Sequence, residues 1–105
     1  MKRPFYTGIS KKQSCVFESW STETTLEYSE NWLYEIMDAF EQNNRYGTIV
    51  RAKGILNHIH GSLLLDYVPG EGRISSIDQE ESGQMVVIGM NLKYRALERL
   101  FLTYA

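Results

Sequence analysis

Two histidines that lie two positions apart, His58 and His60, are the residues of this chain best suited to binding a metal ion. Alternate residues of a β-strand point to the same side, so on a strand both imidazoles can reach one ion. A metal site needs a third ligand, for which Cys15, Asp66 and Glu71 are the candidates. Without that ligand, the pair is described equally well as two polar residues at a strand end beside a turn.

Two basic residues, Arg51 and Lys53, lie in a stretch that otherwise has the composition of a buried strand. Phosphate contact is one use for such cations. However, no aromatic residues alternate with them and the net charge of the chain is -2, which argues against a nucleic-acid partner. We expect these cations to form ion pairs with acidic residues of adjacent strands and to contact a partner protein across an interdomain surface.

No combination of residues predicts catalysis. A phosphate-binding Gly-x-x-x-x-Gly-Lys-Ser/Thr loop is absent from the sequence, and the glycine-rich turn at residues 70–72 does not open a helix. Cys15 is more typical of a small buried residue than of a nucleophile or a ligand. Glu80 and Glu81 lie in an acidic loop and are most simply part of a solvated turn. We therefore expect a domain without enzymatic activity.

Length and composition indicate one small globular domain. The chain has 105 residues, of which 43% are hydrophobic and 23% charged, enough for one modest core. Residues 1–13 are predicted to be a linker or loose lead-in, and residues 14–105 to be the domain. A single cysteine cannot form an internal disulfide, which favours a reducing compartment such as the cytoplasm. No run approaches the roughly 20 apolar residues of a membrane span, so we expect no membrane partner.

Hydrophobic periodicity predicts five strands and two helices. Ser29 is the predicted N-cap of the first helix and Asn91 that of the second. The apolar stripe of the first helix is Trp32, Leu33, Ile36, Met37 and Phe40. The predicted strands are residues 14–21, 48–60, 63–68, 73–78 and 84–90. This β-α-β-β-β-β-α order with tight turns predicts an α+β fold, a two-layer sandwich of a mostly antiparallel sheet of about five strands with two helices on one face.

The strand predicted over residues 48–60 has two unlike faces. Alternation assigns one face to Ile49, Arg51, Lys53, Ile55, Asn57 and Ile59, and the other to Val50, Ala52, Gly54, Leu56, His58 and His60. We expect the small residues to pack under a helix, with Gly54 permitting a close approach or a bulge. Residues 63–68 and 84–90 are largely apolar on both sides. The second face of the sheet is therefore expected to contact another domain, a partner or a second copy of the chain.

The run Arg-Ala-Lys-Gly followed by two apolar residues, at 51–56, resembles the central strand of the C-terminal domain of CobW-type GTPases. The flanks are similar as well. Ser19-Trp20-Ser21 resembles the opening of that domain, and Trp32-Leu33 lies in the helix that follows. Val87-Ile88-Gly89, before a closing helix with Leu97-Glu98, resembles its end. The resemblance covers roughly residues 14–104.

This resemblance implies an accessory domain, either cut from a longer chain or separate. In the family, an N-terminal G domain carries the phosphate-binding loop and a Cys-x-Cys-Cys metal motif, and both are absent from this sequence. GTP and magnesium therefore belong to a parent G domain. The implied role is non-catalytic contact with that G domain and with a client metalloprotein, in metal insertion, metal homeostasis or cobalamin-related assembly. The alternative is a direct carrier of zinc or cobalt that uses His58 and His60, in a loop (57–62) richer in histidine than the family pattern.

Overall fold

Five strands form one antiparallel sheet in the order β1-β5-β2-β3-β4 in the computed structural model, which describes residues 16–78 and 82–102. This confirms the predicted α+β fold and its element order. A short additional helix, α2, lies between the first helix and the long strand. In chain order the elements are β1 (Glu18–Glu23), α1 (Glu30–Ala39), α2 (Asn43–Tyr46), β2 (Thr48–His58), β3 (Gly61–Val68), β4 (Glu71–Ile77), β5 (Gln84–Met90) and α3 (Tyr94–Leu102).

Strands β2, β3 and β4 form a meander of two tight hairpins, whereas β5 pairs between β1 and β2. Placing β5 there makes β2 a central strand, hydrogen-bonded on both sides. Strands β1 and β4 form the two edges of the sheet. Consequently the cations of β2 lie near the middle of the sheet and not at its rim.

Helix α1 begins where the sequence predicts. The Ser29 hydroxyl accepts a hydrogen bond from the Trp32 amide at 3.0 Å, and Glu30 lies in the first turn, where its charge is favourable. The predicted apolar stripe is buried from Trp32 to Phe40. None of the described helices is long and apolar enough to cross a bilayer.

The three helices among the described residues pack on one face of the sheet, which we call the covered face. Phe40, which follows α1, meets Phe101 of α3 with ring centroids 5.9 Å apart and Tyr67 of β3 at 5.0 Å. Phe101 in turn stacks on Trp20 of β1 at 5.5 Å. The strand residues buried under the helices are Ile49, Ala52, Leu56, Leu63, Leu65, Tyr67, Met85 and Val87. One continuous core therefore joins the described helices to the sheet, and at the β4 edge the partly buried Ile74 packs against it.

The long strand departs from strict alternation at one position. The register of β2 against β5 shifts between Ile49 and Arg51, which is a β-bulge. Because of this bulge, Ile49 lies on the covered face together with Ala52, and its assignment to the face of Arg51 was wrong. Of the two roles expected for Gly54, a close approach or a bulge, the structure shows the close approach. There, a Cβ atom would lie 2.3 Å from Met85 Sδ and 2.8 Å from the Gln84 carbonyl oxygen, so glycine permits close approach.

Two further boundaries differ from the sequence-based expectation. Strand β2 ends at His58, so His60 lies in the turn before β3 and not on the strand. Asn91 is not an N-cap: it has a φ of 54°, and α3 begins at Tyr94. The start of the strand predicted from residue 14, and the acidic residues Glu80 and Glu81, lie outside the described residues, as do residues 1–13.

Candidate functional site

The second face of the sheet carries no helix in the part of the chain that the structure describes, and we call it the open face. Strand alternation and cross-strand register define its members. They include Ser19, Ser21 and Glu23 of β1, Gln84, Val86 and Ile88 of β5, Arg51, Lys53, Ile55 and Asn57 of β2, Ser62, Leu64, Asp66 and Val68 of β3, and Glu71, Arg73, Ser75 and Ile77 of β4.

A depression of about 440 Å³ lies on the open face between β2 and β5. Its walls are aliphatic on the β5 side, where Val86 is 41% and Ile88 36% exposed, and basic on the β2 side, where Arg51 and Lys53 stand. Ile55 continues the apolar surface at one end. Apolar residues exposed side by side at the centre of a sheet are typical of a surface that contacts another molecule.

The two cations of the open face differ in their partners. Arg51 Nη2 lies 3.4 Å from Asp66 Oδ1, an ion pair between adjacent strands of the kind expected from the sequence. Lys53 stands directly opposite the same Asp66 in the β2–β3 register, yet forms no ion pair within residues 16–78 and 82–102. Exposed pairs such as that of Arg51 contribute little stability. The charge of Lys53 is therefore available to a partner.

The histidine pair lies at the far end of β2. The rings of His58 and His60 are 5.8 Å apart between centroids and inclined at 74°. His58 Nδ1 is 2.8 Å from the Tyr28 carbonyl oxygen. Because a carbonyl only accepts, Nδ1 carries the proton in this contact, and Nε2 of the neutral ring is left with its lone pair.

A third metal ligand does not accompany the histidines in the described segments. No cluster of three His, Cys, Asp or Glu side chains with metal-binding spacing occurs within 16–78 and 82–102. Gly61 is the residue opposite His58. Asp66 lies five positions farther along β3, which places it about 17 Å from Gly61. Glu71 lies farther along the same hairpin, and Cys15 lies outside the described residues.

A polar link that the sequence did not predict holds the β3–β4 hairpin to the end of α1. The Glu41 carboxylate accepts hydrogen bonds from the Tyr67 hydroxyl and from the Gly70 amide, the latter at 3.2 Å. These bonds hold the pKa of Glu41 below its usual range. Burial, and then Glu41, raises the pKa of Tyr67. The link fixes the hairpin that presents Asp66 on the open face.

A second unpredicted link joins β1 to the connection between β5 and α3. The Glu18 carboxylate of β1 accepts a hydrogen bond from the Leu92 amide at 2.9 Å, just before α3. Glu41 and Glu18 each reach residues far away in sequence, by 26 and 74 positions for their main donors. No local pattern in the sequence marks either contact.

Comparisons with known proteins agree with this architecture. Residues 17–104 match the family model described as "Cobalamin synthesis protein cobW C-terminal domain". A search of curated proteins finds no match. Among solved structures, the Zn(II)-bound YjiA GTPase from E. coli is similar with a TM-score of 0.66 and 17% identity. A Zn(II)-bound triple mutant of YjiA is similar with a TM-score of 0.64 and 18% identity.

The chain corresponds to only a part of those structures. Each alignment covers 81% of this chain and 28% of the GTPase chain. At such identities the structural likeness establishes the fold, while the family match extends over most of the sequence and agrees with the resemblance noted at residues 51–56. The chain belongs to the family of cobW C-terminal domains.

Proposed function

We propose that this chain is the non-catalytic interaction domain of a CobW-type GTPase and that its open face docks against the G domain. The observation that carries the proposal is the apolar depression bordered by Val86 and Ile88 on one side and by Arg51 and Lys53 on the other. The similar structures are GTPases of which this fold is 28%, so the remainder of such a chain is the natural neighbour.

The apolar and the basic residues of the open face would contribute to binding in different ways. Covering Val86, Ile88 and Ile55 would remove apolar surface from water, at about 25 cal/mol per Å², which favours association. Arg51 and Lys53 would contribute mainly to orientation and association rate, as charges at the border of an interface do. The apolar residues would thus contribute most of the affinity for the G domain, and the cations of β2 most of the selectivity.

The rest of the proposed system lies outside this chain. The sequence has no Gly-x-x-x-x-Gly-Lys-Ser/Thr loop, so GTP and magnesium would be bound by the G domain. A client metalloprotein is the second proposed partner, and zinc or cobalt the proposed cargo, in metal insertion, metal homeostasis or cobalamin-related assembly. The single cysteine favours a reducing compartment, and we propose the cytoplasm.

Calorimetric titration of the 105-residue chain with the G domain of the CobW-type GTPase from the same organism tests the proposal. The titration is run without nucleotide, with GDP and with a non-hydrolysable GTP analogue. We expect binding in at least one state, weakened about three- to tenfold by Lys53→Glu. The matched control is Lys93→Glu, which changes the net charge equally at an exposed position outside the open face.

Two outcomes would contradict the proposal. Absence of binding in every nucleotide state, with residues 1–13 present, removes the G domain as the partner. Binding that Lys53→Glu and Lys93→Glu weaken equally would indicate a general electrostatic attraction and not a docked open face.

A second candidate function is direct metal carriage by His58 and His60. It is favoured by the 5.8 Å separation of the two rings and by the Tyr28 carbonyl contact at His58 Nδ1, which leaves Nε2 to bind an ion. Zinc and cobalt titrations of the chain and of the double variant His58→Ala, His60→Ala test it. Carriage predicts a large loss of affinity in the variant, and unchanged affinity would exclude the pair.

A further inference from the structure

We infer that the element docking on the open face is one amphipathic α-helix with acidic residues along one side. This inference rests on the proposed function in one respect, since it takes the open face as the docking surface. It adds the secondary structure of the partner element, its direction along the sheet and its charge.

In the two cross-strand rows that contain Ile88 and Val86, the apolar part of the open face is one strand wide. In the next row it moves to β2 and β3, where Ile55 stands opposite Leu64. Ile88 stands between Ser19 of β1 and Arg51 of β2, and the next pair along β5 repeats the arrangement. There, Val86 stands between Ser21 and Lys53. A second sheet would need several adjacent apolar strands to pack face to face. A single helix carries an apolar stripe of matching width.

The strands on the two sides of Val86 and Ile88 also differ in the length of their open-face side chains. The serines of β1 are small and leave room for a helix to approach β5, whereas the long side chains of Arg51 and Lys53 form a wall along β2. A helix in this position lies along β5. Strand β5 extends about 20 Å between its first and last Cα atoms, which a helix spans with about 13 residues.

The charge of the partner helix follows from the same wall. Arg51 is paired with Asp66, but Lys53 has no ionic partner among the described residues. The acidic residue Glu23 of β1 stands opposite Gln84, the open-face residue of β5 next to Val86. The basic border is therefore confined to the positions opposite Val86 and Ile88. Carboxylates on the side of the helix that faces β2 would complement this border and place the helix in one register.

Nuclear magnetic resonance titration of the ¹⁵N-labelled 105-residue chain with designed peptides tests the inference. Three peptides of about 16 residues share one leucine stripe. The first carries glutamates beside the stripe, the second carries lysines at the same positions, and the third is the acidic peptide with a central proline that prevents a continuous helix. The labelled Lys53→Glu and Lys93→Glu variants are titrated in parallel.

We expect the acidic peptide to shift the amide signals of Lys53, Val86 and Ile88 and to bind about threefold or more tightly than the basic peptide. Lys53→Glu should abolish or reverse that preference, Lys93→Glu should leave it unchanged, and added salt should reduce it. The proline peptide should bind more weakly than the acidic helix.

Three results would overturn the inference. One is equal affinity for acidic and basic peptides. Another is tighter binding of the proline peptide with shifts along the outer edge of β4, which would indicate addition of an extended strand. The last is a dimer of the unliganded chain in analytical ultracentrifugation that Val86→Glu dissociates, which would make a second copy the occupant.

The G-domain titration separates this inference from the proposed function. If the G domain binds through Lys53 while the peptides show no charge preference, the inference fails and the proposed function stands. If the acidic helix binds as expected while the G domain does not bind in any nucleotide state, the proposed partner fails and the acidic helical occupant stands.

Discussion

The two faces of one sheet divide this domain into a part that holds the fold together and a part that is left for contact. Leu65 of β3 is 0% exposed beneath the helices, whereas its neighbour Leu64 points to the open face and is only half-buried. On β5, Val87 is fully buried and Val86 is 41% exposed. Residues of the same type, adjacent in sequence, therefore have different physical roles.

Packing in the core explains the apolar residues of the covered face but not those of the open face. The covered face must be apolar because the described helices and the sheet form the core there. Folding makes no such demand on Val86 and Ile88, which polar residues with high strand propensity would replace at little cost. Their exposure side by side is explained if the open face is covered by a partner.

The largest expected effect tests the closeness of packing on the covered face. Gly54→Val would place a branched side chain where even a Cβ lies 2.8 Å from the Gln84 backbone oxygen and 2.3 Å from Met85 Sδ. We expect a loss of more than about 3 kcal/mol of unfolding free energy, enough to unfold much of a small domain. Urea denaturation measures it, with Lys53→Val on the open face as the control. An unchanged midpoint for Gly54→Val would contradict the close approach of β2 and β5.

A smaller effect compares the faces with the same substitution on the same strand. Leu65→Ala removes a fully buried side chain and should cost about 3 kcal/mol, whereas Leu64→Ala on the open face should cost about 1 kcal/mol. Thermal and urea unfolding of both variants gives the two values. If Leu64→Ala is as destabilising as Leu65→Ala, the open face is part of the folding core and the division between the faces is wrong.

The smallest expected effect concerns the hydrogen bonds that the Glu41 carboxylate accepts from Tyr67 and Gly70. The pKa of Glu41 is lowered in the folded state, first by the Tyr67 hydroxyl and then by the Gly70 amide. Its stabilising contribution is therefore present above the pKa of the unfolded chain, about 4.3, and is lost as the pH falls through the lower folded pKa.

Thermal unfolding between neutral pH and pH 3 checks this dependence. We expect Glu41→Gln to lower the Tm near neutral pH and the difference from the wild type to shrink in acid. Glu35→Gln, an exposed carboxylate on α1, is the control and should have a small effect at neutral pH. A difference between wild type and Glu41→Gln that is constant across this range would exclude the carboxylate form as the stabilising partner.

Local patterns in the sequence predicted most of the fold. The cap at Ser29 and the alternation along residues 63–68 and 84–90 depend on neighbouring residues, so they can be read without knowing the partners. The bulge at Ile49–Arg51 depends on how β5 pairs with β2, which no local pattern specifies. The turn position of His60 depends instead on how β2 pairs with β3, since that pairing ends at His58 opposite Gly61 and leaves residues 59 and 60 as the turn.

The candidate site was predicted in part. Arg51 and Lys53 were identified because charges are unusual in a buried strand, and the pairing of Arg51 with a neighbouring strand followed from that argument. The narrow stripe of Val86 and Ile88 between serines and cations required the strand order, since β1, β5 and β2 are not consecutive in the chain. Glu41 and Tyr67 meet across 26 positions, so their link required the tertiary structure.

The most direct test of the open face as a docking surface is to map the G domain onto the ¹⁵N-labelled chain by chemical-shift perturbation. We expect the perturbed amides to lie in β5 and β2, around Val86, Ile88 and Lys53, with α1 and α3 unaffected. Perturbations confined to α1 and α3, with β5 and the middle of β2 unchanged, would contradict it.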